Sequence, residues 1–220
     1  MSKLIFTDHK TERSIGFSGG GTVRMPNNIW PKIPKTEIHQ THLCTLFSNF
    51  FRNGSLAENK NISIFISIEK HTLGGVKETL SSKYTINQKN DLNLLDEGYS
   101  QALIYNHLDN DDELKLSSII LPKKYFEIIP DTEDYMEKEH LFFEENGMGL
   151  DISKLQNIPY FEQDIINPSP KYQFYLQLLE EDIVKDLQIF QEGIGYFYVN
   201  KNIKKLNSGD SAGLFFIQNT

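Results

Sequence analysis

Ile62-Ser63-Ile64-Phe65-Ile66-Ser67-Ile68 constrains the fold more than any other stretch of the chain. Five of its seven residues are β-branched or aromatic, and such side chains suit a pleated, half-buried surface. Gln101–Asn106, Lys115–Leu121, Ser82–Ile86 and Tyr125–Ile129 read as further strands. So do residues 43–51, the alternating Tyr172–Leu179, Gly195–Val199 and the closing Gly213–Gln218. Composition agrees: alanine, the best helix former, occurs three times, against 24 isoleucines. Turn residues punctuate the strands, at Asn53-Gly54, Gly74-Gly75 and Asn207–Asp210, and a Pro/Gly-rich loop fills 14–35.

Asp131–Asn146 is the best helix. Asp131 can cap it, the acids Glu133 and Asp134 suit its dipole, and Gly147 can end it. Asp151–Leu155 reads as a second, short helix. No apolar run approaches the roughly 18 residues of a membrane span. The first residues lack the apolar stretch of a secretory leader, so a cytoplasmic chain is expected. One cysteine, Cys44, excludes an internal disulfide framework.

The two ends of the chain echo one another. Pro159 follows Pro26 by 133 residues, the apolar strand from Phe174 follows that from Leu43 by 131, and Phe197 follows Phe65 by 132. The chain is therefore expected to be an α+β protein, predominantly antiparallel β, with one or two helices. It is read as one domain over 1–220, with a candidate internal duplication, its units at about 14–70 and 150–218.

Charge is unevenly spread. Residues 1–89 carry net +6 and residues 90–220 net −14, within an overall −8. The stretch Glu127–Asp151 holds nine carboxylates against the single Lys138. Such a surface repels nucleic acid and anionic membranes and attracts a basic partner. The candidate binding residues are Asp109, Asp111, Asp112 and Glu113 in one polar loop. The others are Glu133, Asp134, Glu137, Glu139, Glu144 and Glu145 on the helix.

Other motifs are weak. Gly19-Gly20-Gly21 lacks the Lys-Ser/Thr of a phosphate loop and reads as a turn. His39 and His42 have metal-pair spacing without a visible third ligand. Cys44 and His42, two apart on a strand, would share a face as a nucleophile and base do, although a buried thiol is the simpler account. Asp109–Glu113 lacks the central glycine of a calcium loop. Glu180-Glu181-Asp182 offers paired acids with no visible partner, and Gly209-Asp210 reads as a turn. No catalytic residue, metal site or cofactor is assigned.

Several segments together carry a resemblance. They are Gly19-Gly20-Gly21 with Pro26 and Trp30-Pro31; Ile158-Pro159-Tyr160-Phe161-Glu162-Gln163 followed by Leu176-Gln177-Leu178-Leu179; and Gly209-Asp210-Ser211-Ala212-Gly213-Leu214-Phe215-Phe216-Ile217-Gln218. Over about residues 15–218 the chain resembles the YwqG-like family of uncharacterised bacterial proteins. It departs from them at Gln156-Asn157, where Gly-Gly is usual, and in lacking an obvious glutamine within 43–51. The resemblance implies a β-rich fold built on a repeated motif, and it supplies no catalytic residues. It also implies a place in toxin–immunity loci, which makes a basic toxin protein the expected partner. The expected function is then a non-catalytic, immunity-like protein that masks that partner. The alternative is a small-molecule-binding or enzymatic domain using a groove between the two repeat units.

Overall fold

Strands form where alternation is strongest, but short strands that no pattern announces are what close the sheet. The computed structural model describes residues 2–51, 56–68, 80–108, 114–129, 133–184 and 187–219, with the backbone alone at Ser2, Glu133 and Asp134. The strands are β1 (Ser2–Thr7), β2 (Gly16–Ser18), β3 (Thr41–Leu46), β4 (Lys60–Ile66), β5 (Ser100–Asn106), β6 (Lys124–Ile129), β7 (Lys154–Leu155), β8 (Tyr172–Leu179), β9 (Ile194–Asn200) and β10 (Ser211–Gln218). The helices are α1 (Glu133–Asn146) and the single turn α2 (Glu180–Ile183). Among the described residues the ten strands, all antiparallel, close into a barrel in the order β1-β6-β2-β3-β4-β5-β10-β9-β8-β7. Closure removes every sheet edge.

The predominance of antiparallel strands holds, and the closed barrel is more specific than the α+β expectation. Two four-strand meanders, β2 to β5 and β7 to β10, run in chain order. Each is preceded by a strand that pairs with the other meander: β1 joins β7, and β6 joins β2. The β1–β6 ladder, Lys3 opposite Ile129 through Thr7 opposite Tyr125, then completes the ring.

Inside the barrel Leu4, Cys44, Ile62, Ile64, Ile104, Phe126, Leu176, Phe197 and Phe215 pack as one core. Two outer faces are covered as well. Val23, Met25 and Trp30, from the Pro-rich loop after β2, lie over Phe65, Leu103 and Tyr105. Phe161 and Ile166, from the loop after β7, lie over Tyr196, Tyr198 and Phe216. Strands buried on both faces lose the polar alternation that would mark them in sequence.

Four expected elements differ. The strand expected over 43–51 is Thr41–Leu46, and a 3-10 turn at Ser48–Phe50 follows it. Ser82–Ile86 is not a strand: residues Leu80–Lys83 form a 3-10 turn, and Thr85 makes one parallel bridge to Ile217. Lys115–Leu121 runs irregularly because its bonds go through hydroxyls rather than a ladder. Ser117 Oγ accepts the His42 N–H at 2.9 Å, and Ser118 Oγ meets Thr41 Oγ1 at 2.9 Å. Asp151–Leu155 is not helical but ends in β7. The Asn53-Gly54 and Gly74-Gly75 turns lie outside the described residues.

Candidate functional site

The acidic stretch becomes, in part, a helix standing against the outside of the barrel. Gly147, in a left-handed conformation (φ 73°), ends α1 and donates its N–H to Phe143 O at 2.8 Å. Three large apolar residues of α1 face solvent: Met136 at 55% exposure, Leu141 at 50% and Phe143 at 41%. Glu137, Glu144 and Glu145 are exposed among them, and His140 Nε2 lies 3.1 Å from Glu144. Water wets most of this helix, an arrangement that leaves it free for a partner.

Glu139 corrects the expected set. It is 1% exposed, and its Oε1 accepts from Lys154 Nζ at 2.7 Å. Its Oε2 accepts from Asn157 Nδ2. Lys154 itself is fully buried on β7, and burial pushes its ammonium below the usual lysine range while Glu139 pulls it back. Glu139 therefore anchors α1 and cannot meet a partner. Lys3 of β1 adds a second tie, its Nζ 3.4 Å from Tyr135 OH. Glu133 and Asp134 lie in the first turn of α1, and Asp109, Asp111, Asp112, Glu113 and Asp131 lie outside the described residues. Glu127, at the start of the acidic stretch, is buried and accepts from Thr11 Oγ1 at 2.5 Å.

The weaker motifs resolve into structure. Gly19 and Gly20 spend their N–H groups on Leu43 O and Leu121 O, each at 2.8 Å, so they cannot cradle phosphate. All three glycines of that run are left-handed (φ 63°, 76° and 63°), as the turn requires. Among the described residues no three His, Cys, Asp or Glu side chains come together to hold a metal. Glu180 is buried and accepts the N–H groups of Phe190 at 2.9 Å and Glu192 at 2.6 Å, while Glu181 points to solvent. Burial raises the Glu180 carboxyl above the usual range against those two bonds. Asp210 accepts the Asn207 N–H at 2.7 Å, which closes a turn.

His42 and Cys44 do not share a face. A bulge at Leu43 breaks the β3–β4 register, so His42 pairs with the outer Phe65 and Cys44 with the inner Ile64. One extra residue reverses the alternation. Cys44 is buried in the core, and burial holds its thiol well above the usual range, which removes it as a nucleophile. His42 Nδ1 donates to Gly19 O at 2.9 Å. Its Nε2 must then accept, from Thr45 Oγ1 at 2.8 Å. Thr45 in turn meets Ser63 Oγ at 2.7 Å, and Ser63 meets Tyr105 OH at 3.0 Å. All four residues are buried, so the chain of hydroxyls joins three strands rather than serving a substrate.

The space between the two meanders is the packed barrel core. On the outside, where β5 meets β10, a shallow cleft of about 230 Å³ opens beside Ser100, Gln101, Ser211 and Gly213. No described helix is long and apolar enough to cross a membrane. Comparison of the chain with family models and with curated proteins finds no match.

Proposed function

We propose that this chain is a non-catalytic, immunity-like protein that docks and masks a basic partner through α1. The observation that carries the reading is the helix itself: Met136, Leu141 and Phe143 exposed among Glu137, Glu144 and Glu145, on a helix held by one buried carboxylate. Apolar anchors ringed by charge are what a protein partner recognises, and the charges set association rate and orientation more than affinity. Cys44, His42 and Glu180 are all buried, so these three side chains serve the fold and meet no substrate from solution. The resemblance to YwqG-like bacterial proteins and a cytoplasmic setting belong to the same proposal.

The test begins with the protein recovered from its own host at low salt. A stoichiometric basic protein should copurify and be lost at high salt. Reversal of Glu137, Glu144 and Glu145 to lysine should then slow association with that partner about tenfold or more. Leu141→Ser with Phe143→Ser should instead speed dissociation. Unchanged rates in both variants would remove α1 as the docking surface.

We also infer that the two meanders are copies of one unit. Each central hairpin carries a bulge, at Leu43 and at Tyr175, 132 residues apart. On one side of each bulge an outer pair follows, His42 with Phe65 and Phe174 with Tyr198. On the other side an inner pair follows, Cys44 with Ile64 and Leu176 with Phe197. The first unit then reaches Asn106, beyond the 14–70 expected. An experimental structure in which superposed meanders place the bulges at different positions would refute this.

A further inference from the structure

A second surface has the opposite sign. At one mouth of the barrel, a half-open cleft of about 560 Å³ lies between the start of β8 and the turn after β9. That volume falls within the range of small-ligand sites. Lys201, Lys204 and Lys205 line it, and among the described residues no carboxylate does. Among the described residues none of the three is in an ion pair. They stand in the half of the chain whose net charge is −14. Three cations gathered in one concavity form a local positive field that focuses on an anion.

The frame around these lysines is fixed before any ligand arrives. Residues Ile203–Lys205 form a 3-10 turn whose Ile203 is buried in the barrel mouth. Asn202 N–H donates to Asn200 Oδ1 at 3.0 Å, Lys205 N–H to Asn202 O at 2.9 Å, and Lys201 N–H to Lys171 O at 3.0 Å. From β4, Lys60 Nζ reaches across to Leu206 O at 2.6 Å and pins the end of the turn. On the inner side Tyr175 stacks on Phe51, with ring centroids 4.8 Å apart and planes at 24°, and its hydroxyl donates to Phe50 O at 3.2 Å. A rigid frame lowers the ordering cost of binding.

We propose that this cleft binds a phosphorylated, hydroxyl-bearing small molecule. Lysine ammoniums serve as point-charge partners for phosphoryl oxygens. The amide side chains of Gln156, Gln173 and Asn202 on the same walls offer donors and acceptors to hydroxyls. The site is separate from α1 and does not depend on what α1 docks.

The test titrates the full chain with inorganic pyrophosphate, glucose 6-phosphate, citrate and glucose, followed by amide chemical shifts. Pyrophosphate and glucose 6-phosphate should shift the signals of residues 200–206, and glucose 6-phosphate should bind more tightly than glucose by tenfold or more. Lys204→Gln with Lys205→Gln should weaken both phosphates about tenfold or more while leaving the thermal midpoint in place, since both side chains are exposed. No shift at 200–206, or equal binding by the double variant, would overturn the site. Citrate binding as tightly as the phosphates would overturn its assignment to phosphoryl groups.

Discussion

Replacing Glu139 with Ala should cost about 3–5 kcal/mol, because it strands a buried ammonium. Glu139 and Lys154 are 1% and 0% exposed, with their charged atoms 2.7 Å apart. Without the carboxylate, Lys154 must either lose its proton or drag water into the seam between β7 and α1. Among the described side chains of α1, Glu139 is the one that is buried, so the loss has two readouts. If the helix is integral to the cooperative unit, the urea midpoint falls. If it opens locally, amide exchange along 133–146 accelerates while the barrel amides stay protected. Lys154→Met combined with Glu139→Leu should recover most of the loss, since neither charge is then desolvated. Gly149→Ala attacks the same point from the other side. Its Cβ would lie 1.9 Å from Ile158 O and 2.4 Å from Lys154 Nζ, with no room to yield on the backbone side. A Glu139→Ala protein within 1 kcal/mol of the parent, with unchanged exchange in α1, would show that the pair does not hold the helix.

Long-range pairing is the part of this fold that local pattern does not carry. β4, β5, β8, β9 and β10 were readable from β-branched and aromatic runs, and α1 from its cap signals and Gly147. β7 is two residues, Lys154-Leu155, too short for any period to register, and β2 is three. Yet β7 and β1 make the joint that turns a sheet into a barrel. Within residues 43–51 the alternation is hidden by the bulge at Leu43, which also put His42 and Cys44 on opposite faces. The candidate surface was legible as charge but not as geometry. Tyr135, Glu139 and Phe142 share one helical face by their spacing, and that spacing was the available sign that Glu139 turns inward. Its partner Lys154 carries no such sign. Lys201, Lys204 and Lys205 disappear when charge is summed over 131 residues, because a sum does not report that a turn gathers three of them at one mouth.

Between about pH 6.5 and pH 4 the barrel should lose about 3 kcal/mol of stability through His42 alone. The ring is fully buried, and burial lowers its pKa from 6.5 to about 4. The folded state therefore keeps the ring neutral in a range where the unfolded chain protonates it. Stability from this group is complete above pH 6.5, falls as pH drops, and levels off once the folded ring is also charged near pH 4. The slope is at most about 1.4 kcal/mol per pH unit. Protonation also reverses the hydroxyl chain. Nε2 would become a donor facing Thr45 Oγ1, so the donors of Thr45, Ser63 and Tyr105 would all have to turn. Raised carboxyls at Glu180, Asp151 and Glu162 act in the opposite sense, because the folded state holds their protons more tightly. The measurement is therefore a difference: denaturant unfolding of the parent and of His42→Gln across this range. Glutamine can donate to Gly19 O and accept from Thr45, but it does not titrate. The variant should be less stable than the parent at pH 8, and the gap should narrow steadily towards pH 4. Parallel curves would mean that His42 is protonated as readily in the barrel as in the unfolded chain, which its burial beneath Phe17 and Phe65 should prevent.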